Sequence, residues 1–113
     1  MSCIFCNIIN QVIPAELVYQ GEQVVAFNDM HPQAATHVLI IPREHIATLN
    51  DLNKQHTNLV GHMVQTAQHL AKQYNHDKDG YRLVMNCNKD GGQTVFHIHL
   101  HLLAGRPMQW PPG

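Results

Sequence analysis

Three histidines separated by single apolar residues occur near the carboxyl end of the chain, at His97, His99 and His101. This alternation is typical of a β-strand, because successive side chains of a strand point to opposite faces of the sheet. The intervening apolar residues are predicted to enter a core: Ile98, Leu100 and Leu102. Neighbouring histidines on the other face would lie about 6.5–7 Å apart, too far for all three to hold one atom. We therefore expect them to divide several tasks.

A glycine-rich loop, GGQT at residues 91–94, comes just before the histidines. Its two glycines let backbone N–H groups approach an anion closely, and Gln93 and Thr94 add side-chain donors. A neutral imidazole is both a nucleophile and a general base near neutral pH. Together the loop and the histidines predict chemistry on a phosphate. The alternatives are an exposed strand face that happens to carry histidines, and a metal-chelating patch.

Two further chemically active residues, Cys3 and Cys6, form a C-x-x-C pair at the start of the chain. A redox motif of this spacing needs a preceding strand, for which residue 3 leaves no room. A disulfide is disfavoured if the compartment is reducing. Zinc would need two more ligands from elsewhere in the chain. The pair therefore binds a metal or remains as free thiols.

Length and composition restrict the possible functions. The chain has 113 residues, which predicts one domain over residues 1–113. A content of 44% hydrophobic and 13% charged residues is typical of a globular protein. The net charge of -1 indicates no basic surface that could bind nucleic acid. No apolar run approaches the roughly 18 residues of a membrane span, and the start of the chain lacks the basic region of a secretory signal. We expect a cytoplasmic protein that binds a small polar ligand.

The helices and strands that must position these residues are predicted to form an α+β domain. The first is a short amphipathic helix that ends before Pro14, and its predicted inward residues are Ile4, Phe5, Ile8 and Ile9. The others follow in chain order: a hairpin turned at residues 20–22, a buried strand ending at Pro42, a helix over 53–74, a strand over 80–88, a turn over 89–93 and a final strand over 95–105. We expect the strands to form an antiparallel meander beside the helices.

The sequence resembles the histidine triad (HIT) family, and in particular its histidine triad nucleotide-binding branch. Residues 97–103 match the His-φ-His-φ-His-φ-φ signature, where φ is an apolar residue. Further similar blocks are FND (27–29), PQAATHVLIIP (32–42), GYRLVMN (80–86), DGGQTVFHIHLHLLAGRP (90–107) and WPPG (110–113). The resemblance covers nearly the whole chain. It implies a HIT-like α+β fold and a homodimer, with the long helix and residues 80–86 at the interface.

The resemblance also implies an activity, the hydrolysis of the P–N bond in purine nucleoside 5′-phosphoramidates such as AMP or GMP amidates and aminoacyl-adenylates. His99 would attack the α-phosphorus and form a nucleotidyl-histidine intermediate that water then releases. His101 would contact the phosphate or the leaving group, and His37 would support the cluster. Thr94 and the loop backbone would stabilise the phosphoryl oxygens. The family usually has Ser at the Thr94 position, which puts the leaving-group preference in doubt.

The nucleotide contacts that the resemblance implies come from all parts of the chain. They are Ile4, Phe5, Ile8, Phe27, Asn28, Asp29, Met30, Asn86, Gly92, Gln93, Thr94, Val95, His99, His101 and Trp110. A purine favours apolar faces and a ribose diol suits a carboxylate, so Asp29 is the expected ribose contact. From residue type alone the apolar members would read as core, and Asp29 as a turn residue. Asn28 and Met30 depart from the residues that several relatives carry, which puts the base preference in doubt.

For the cysteine pair, the resemblance to some bacterial members implies a structural zinc site. Its ligands would be Cys3, Cys6, His45 and His97, which would pin the first helix to the sheet. The zinc would not be required for the chemistry. Trp110 would reach towards the partner's active site in the implied dimer. Two other functions stay open, a dinucleoside polyphosphate hydrolase of the same superfamily and a non-catalytic nucleotide-binding or adaptor protein.

Overall fold

The chain forms a five-stranded antiparallel sheet, with one long helix on one face and one short helix on the other. The computed structural model describes residues 3–113. The strands are β1 (Leu17–Gln20), β2 (Val24–Asn28), β3 (Thr36–Pro42), β4 (Arg82–Val84) and β5 (Leu100–Ala104). The helices are α1 (Ile4–Ile9), α2 (Thr57–Gln73) and a short α3 (Asn88–Gly91), and 3₁₀ turns occupy Leu49–Asp51 and Lys54–His56. The predicted α+β class is confirmed.

The strands lie in the order β1-β2-β3-β5-β4, and every pair is antiparallel. The predicted meander describes β1 to β3. After β3 the chain crosses through α2 to β4 at the far edge, and β5 then inserts between β3 and β4. This insertion places His101 in the middle of the sheet, beside β3, with His97 and His99 in the segment just before the strand.

The face of the sheet under α2 holds the larger core. Alternate residues of β2, β3 and β5 point to this face and pack against one stripe of α2, as period-2 and period-3.6 patterns require. The fully buried helix residues of this core are Met63, Ala67, Leu70 and Ala71. Ile98, Leu100 and Leu102 join the same core, with exposures of 1%, 3% and 0%, as the alternation predicted.

The opposite face of the sheet is covered by α1, which is only six residues long. Cys3 caps this helix, and its sulfur accepts the Cys6 N–H at 3.3 Å. Phe5 and Ile8 are buried against β2 and β3. Ile4 was predicted to point inward, but its side chain is 43% exposed. One and a half turns of helix offer a single narrow buried stripe, and Ile4 lies off it.

The final strand is shorter than the alternation predicted, because β5 begins at Leu100 and leaves His97 and His99 outside the sheet ladder. The β3–β5 register ends at the Ile40–Leu100 pair, and its continuation through Ile41 and His99 would place Pro42 opposite Ile98. Proline has no N–H to donate to a ladder. The Ile98 N–H instead donates to the Ile46 carbonyl at 2.8 Å.

The remaining predictions differ in detail. The predicted strand over 80–88 is a strand only in β4. The helix α3 begins at the last residue of that prediction and continues into the predicted turn over 89–93, and its C-cap is Gly92 with φ of 86°. Among the described helices, none combines the length and the apolar character that a bilayer crossing demands.

Candidate active site and metal centre

Four side chains from three parts of the fold converge beside α1: Cys3, Cys6, His45 and His97. Cys3 Sγ lies 3.4 Å from His97 Nδ1, and Cys6 Sγ lies 3.4 Å from His45 Nδ1 and 3.6 Å from His97 Nδ1. The two Nδ1 atoms lie 3.2 Å apart. Tetrahedral zinc, with bonds of about 2.3 Å to sulfur and about 2.0–2.1 Å to nitrogen, separates its ligand atoms by roughly 3.3–3.8 Å. Four of the six separations between donor atoms are therefore close to those of tetrahedral zinc, and all six lie within 4.8 Å.

The hydrogen bonding of His97 agrees with this role. Its Nε2–H donates to the Pro42 carbonyl at 2.8 Å, which leaves the lone pair of Nδ1 directed at the sulfur atoms. Metal-bound histidines characteristically donate their second ring nitrogen to a carbonyl in this way. Burial lowers the pKa of His97, with the neighbouring His45 and His99 also lowering it, so that the ring stays neutral. Burial also raises the pKa of the Cys6 thiol, and a cation would offset this cost of the thiolate. These four residues can hold a metal ion.

His99 lies just beyond this centre, and its ring is oriented by the backbone of His97. Its Nδ1–H donates to the carbonyl of His97 at 2.8 Å, so the lone pair of the neutral ring lies on Nε2. The ring is 9% exposed and packs edge-on against Phe5, with ring centroids 5.1 Å apart and planes at 90°. A fixed imidazole with a free Nε2 lone pair can act as a nucleophile or as a base.

His37 and His101 form a second pair, held in the opposite sense. The Gln33 backbone N–H donates to His37 Nδ1 at 3.0 Å, so neutral His37 must carry its proton on Nε2. That Nε2 lies 2.9 Å from His101 Nδ1 and 3.4 Å from an Asp29 carboxylate oxygen. The shorter contact makes His101 Nδ1 the main acceptor. Neutral His101 therefore carries its proton on Nε2, where it can donate.

The electrostatics keep this pair uncharged near neutral pH. Burial, followed by the charges of His99 and His37, lowers the pKa of His101 to about 4, although Asp29 opposes the shift. Burial also lowers the pKa of His37, again opposed by Asp29. Both rings therefore act as neutral hydrogen-bonding groups near pH 7.

Asp29, His37 and His101 place three further donor atoms together, but their protons do not suit a metal. A metal needs the lone pair of His37 Nε2, whereas the Gln33 N–H already occupies the Nδ1 lone pair and keeps the proton on Nε2. The hydrogen bond at His97 leaves a lone pair for a metal, whereas the hydrogen bond at His37 leaves a proton, which disfavours a metal at this second cluster. The arrangement suits transfer or donation of a proton.

The predicted apolar pocket wall is only partly assembled. Phe5, Ile8 and Phe27 belong to one buried cluster, which Val95 flanks, and the Phe5 and Phe27 rings meet edge-on at 5.4 Å. Ile4 and Met30 lie apart from it, with 43% and 86% of their surface exposed.

Of the polar residues expected around the nucleotide, Asp29 lies beside the histidine cluster. Asp29 accepts the His31 backbone N–H at 2.8 Å through one carboxylate oxygen, and its other oxygen faces His37. Asn28 is exposed and Asn86 is half-buried. Asp29 therefore retains acceptor capacity close to the histidine cluster.

The glycine-rich loop differs from its predicted role at Gln93. This side chain is 6% exposed and is used entirely within the protein. Its amide NH₂ donates to the carbonyls of Ala47 and Val95 at 2.8 and 3.0 Å, and its oxygen accepts the Asn88 N–H at 2.8 Å. The prediction of Gln93 as a side-chain donor to a ligand was therefore wrong. The amide bonds cross-link the loop instead.

Two backbone N–H groups of the loop also donate hydrogen bonds within the protein. The N–H groups of Gly92 and Gln93 donate to carbonyls of α3 at 3.0 Å each. Thr94 is exposed beside them, and Trp110 in the tail is 83% exposed. The N–H groups of Gly92 and Gln93 are therefore used within the protein in this conformation, whereas Thr94 is exposed.

The backbone groups that orient the rings were not predicted from the sequence; they are the carbonyls of Pro42 and His97 and the N–H of Gln33. Residue types carry no signal for such partners, because every residue has a carbonyl. Only the register of the folded sheet identifies them.

Comparison with known proteins places these features in context. Residues 2–110 match the family model described as "Scavenger mRNA decapping enzyme C-term binding". The chain is 50% identical over 105 residues to the purine nucleoside phosphoramidase of Escherichia coli strain K12, covering 93% of this chain and 88% of that protein.

Two solved structures are informative. A HIT family hydrolase from Legionella pneumophila Philadelphia 1 has 50% identity and a TM-score of 0.97, covering 99% of this chain and 100% of that one. A zinc-bound histidine triad family protein from Mycobacterium smegmatis has 34% identity and a TM-score of 0.83, covering 94% of this chain and 76% of that one.

Proposed function

The chain belongs to the histidine triad (HIT) family, and on this basis we propose that it hydrolyses the P–N bond of purine nucleoside 5′-phosphoramidates. The relative of 50% identity named a purine nucleoside phosphoramidase supports this activity. The observation that carries the proposal is the proton arrangement of the cluster. His99 presents a lone pair on Nε2, and His101 presents a proton on its own Nε2.

The reaction divides into two displacements. His99 Nε2 attacks the α-phosphorus, a phosphorus–nitrogen bond to the imidazole forms, and the bond to the departing amine breaks. The amine leaves with a proton taken up from solvent, which the water of the second displacement returns, and the Nε2–H of neutral His101 stabilises the phosphoryl oxygens or the departing nitrogen by a hydrogen bond. Water then attacks the nucleotidyl-histidine, which releases the nucleoside monophosphate and restores His99.

His37 supports His101 throughout. Because its Nε2–H donates to His101 Nδ1, it keeps the donor proton of His101 on the outer nitrogen. The Asp29 carboxylate lies near the same Nε2–H and also favours this proton position on His37. Thr94 and backbone groups next to it would stabilise charge on the phosphoryl oxygens.

The nucleoside would lie over the apolar cluster of Phe5, Ile8 and Phe27. A purine there would exchange water for aromatic and aliphatic contacts. The Asp29 carboxylate would accept hydrogen bonds from the ribose hydroxyls. Ile4 and Met30, being exposed, would border the base rather than enclose it.

The four-donor centre is proposed to hold structural zinc. The Cys₂His₂ set and its spacing fit this ion, and zinc is bound in a family member of known structure. Zinc would supply cross-links between α1, the segment after β3 and the segment before β5. It would take no part in the displacement, because all four positions are filled by protein.

A homodimer belongs to the same proposal. In the described part of the chain, the outer edge of β4 pairs with no strand, and Tyr81 beside it is 37% exposed. A second copy could cover this edge and bring Trp110 near the neighbouring site. Light scattering coupled to size-exclusion chromatography would detect it, and a monomer at micromolar concentration would contradict it.

The activity is tested by replacing His99 with Ala and assaying adenosine 5′-phosphoramidate. We expect kcat to fall by roughly 10³-fold or more, because the nucleophile itself is removed. His69→Ala, on the exposed surface of α2, is the matched control and should retain activity. Rapid quenching of the native enzyme should trap a nucleotide on His99, detectable by mass spectrometry under alkaline conditions.

Two results would count against the proposal. Unchanged turnover in His99→Ala would remove the nucleophile assignment. Faster cleavage of a diadenosine polyphosphate than of the phosphoramidate would instead favour the polyphosphate hydrolases of the superfamily.

A further inference from the structure

The segment from His97 to His99 is held in an unusual way for a part of an active site. It lies just outside β5 and so lacks the ladder hydrogen bonds that fix a strand. Two contacts hold its backbone and first ring, the Ile98 N–H to Ile46 and the His97 Nε2–H to Pro42, each 2.8 Å long. The other nitrogen of His97 faces the two sulfur atoms of the four-donor centre. A metal there would be a third anchor of the segment.

The helix α1 depends on the same centre. A helix of six residues is far below the roughly 12–15 residues at which isolated helices become marginally stable in water. Its position therefore comes from tertiary contacts. Cys3 and Cys6 bracket Phe5, so a metal held by both sulfurs would fix the backbone on each side of that ring.

Phe5 connects this helix to the nucleophile. Its ring centroid lies 5.1 Å from that of His99, 5.8 Å from that of His97 and 5.4 Å from that of Phe27. At an angle of 90° the two rings of Phe5 and His99 form an edge contact, which is specific in geometry as well as apolar. A shift of α1 would therefore move a wall of the nucleotide pocket and a support of His99 together.

A second link runs through the main chain. His97 contributes Nδ1 to the four-donor centre, and its carbonyl accepts the Nδ1–H of His99 at 2.8 Å. One residue thus contacts the metal position through its side chain and orients the nucleophile through its backbone. Loss of the metal would leave the His97 ring held by the Pro42 carbonyl alone and would loosen the His97 carbonyl that sets the His99 proton.

We propose that metal at the four-donor centre and nucleotide in the pocket bind cooperatively, with Phe5 and the His97 main chain as the links. The proposal rests on the proposed nucleotide-binding function. Phe5 is then a positioning residue for His99 as well as a contact of the base. Coupling is reciprocal, so nucleotide must tighten metal binding by the same factor as metal tightens nucleotide binding.

The experiment is a pair of titrations of the full chain. Calorimetry measures AMP binding to zinc-loaded protein and to protein stripped by a chelator, with circular dichroism confirming that the stripped chain remains folded. A chromophoric chelator measures zinc affinity with and without saturating AMP. We expect AMP affinity to rise at least about fivefold with zinc, and zinc affinity to rise equally with AMP.

Two variants separate positioning from general packing. Phe5→Leu retains all four metal ligands and an apolar side chain but lacks the ring edge, so the ratio of the two AMP affinities should fall towards one. Ile9→Leu, half-buried on the same helix, is the matched control and should keep the native ratio. If Phe5 only filled space, both AMP affinities would fall together and their ratio would remain.

A third variant is used if removal of zinc by the chelator unfolds the chain. His45 is the exposed member of the centre, so His45→Ala should fold and bind zinc more weakly. At limiting zinc its AMP affinity should fall below that of the native chain and recover as zinc is added.

The outcomes distinguish this inference from the function on which it rests. Equal AMP affinity with and without zinc in folded protein overturns the coupling and leaves the phosphoramidase proposal standing. An unchanged affinity ratio in Phe5→Leu overturns the role of Phe5. Absence of AMP binding to zinc-loaded protein overturns both proposals.

Discussion

Acid should destabilise the folded chain through His101, because the fold holds this imidazole neutral where an ordinary histidine would be charged. Burial and the charges of His99 and His37 lower its pKa from 6.5 to about 4, against the opposing effect of Asp29. The unfolded chain takes up a proton at this residue as pH falls below about 6.5, whereas the folded chain does so only near pH 4. The free energy of unfolding should therefore fall with pH across this interval and level off below it.

The size of the effect follows from the shift. A change of 2.5 in the pKa would correspond to about 3.4 kcal/mol if it were fully expressed. His101 is partly exposed, and solvent screening reduces such terms, so we expect about 1–2 kcal/mol between pH 7 and pH 4.5.

The assay compares urea unfolding of the native chain and of His101→Asn at the two pH values and at fixed protein concentration. Asparagine does not titrate, and its side-chain oxygen can still accept the His37 Nε2–H. The pH dependence of the variant should be smaller by about 1–2 kcal/mol. Protonation of the metal ligands affects both proteins, so it cancels in the difference. Equal pH dependence in the two proteins would refute the reasoning.

Two further predictions concern Gln93 and Asp29. Gln93→Ala should lower the free energy of unfolding by about 2–3 kcal/mol, because it leaves backbone groups without partners, and urea titration measures it; a change below 0.5 kcal/mol would contradict the cross-linking role. Asp29→Asn should lower kcat/KM for ribonucleoside phosphoramidates by roughly 10–100-fold, since a charged acceptor becomes neutral. A 2′,3′-dideoxy substrate should lose much less, and equal losses for both substrates would exclude a ribose contact.

The elements with strong local patterns were predictable from sequence. Period-2 and period-3.6 spacing predicted the β1–β2 hairpin, β3, α2 and the burial of Ile98, Leu100 and Leu102, because side-chain direction in these elements is set locally. The place of β5 between β3 and β4 was not encoded in any local pattern. It depends on how long-range pairing competes among strands.

The late start of β5 shows a limit of the same reasoning. In residues 97–99 the side chains still alternate between the two faces, with Ile98 in the core under α2 and His97 and His99 against Phe5, but the residues are not paired in the ladder. Alternation reports which side a residue faces and carries no information on whether its backbone has a partner. Pro42, whose position opposite Ile98 emerges only from the register, decides that question.

Gln93 shows why a site residue can be named wrongly. A glutamine after two glycines has the composition of an anion-binding loop, and the sequence does not reveal that Ala47, 46 residues away, supplies a carbonyl to it. A buried amide must satisfy its hydrogen bonds, so once the fold encloses Gln93 its polar atoms are committed to the protein. Thr94 is exposed, so burial imposes no such requirement on its hydroxyl group.

The histidines themselves differ by the backbone atom that each ring meets. A carbonyl beside one nitrogen places the proton there and frees the other lone pair, as at His97 and His99. An N–H beside one nitrogen does the reverse, as Gln33 does at His37, and it turns the next ring, His101, into a donor. Of four identical side chains, two therefore present a lone pair on their free ring nitrogen (His97 and His99), and two carry a proton on Nε2 (His37 and His101). Replacing a ring leaves its neighbours' backbone partners in place, so single substitutions should fail in different ways: at His97 through metal affinity, at His99 through chemistry and at His37 through the position of the His101 proton.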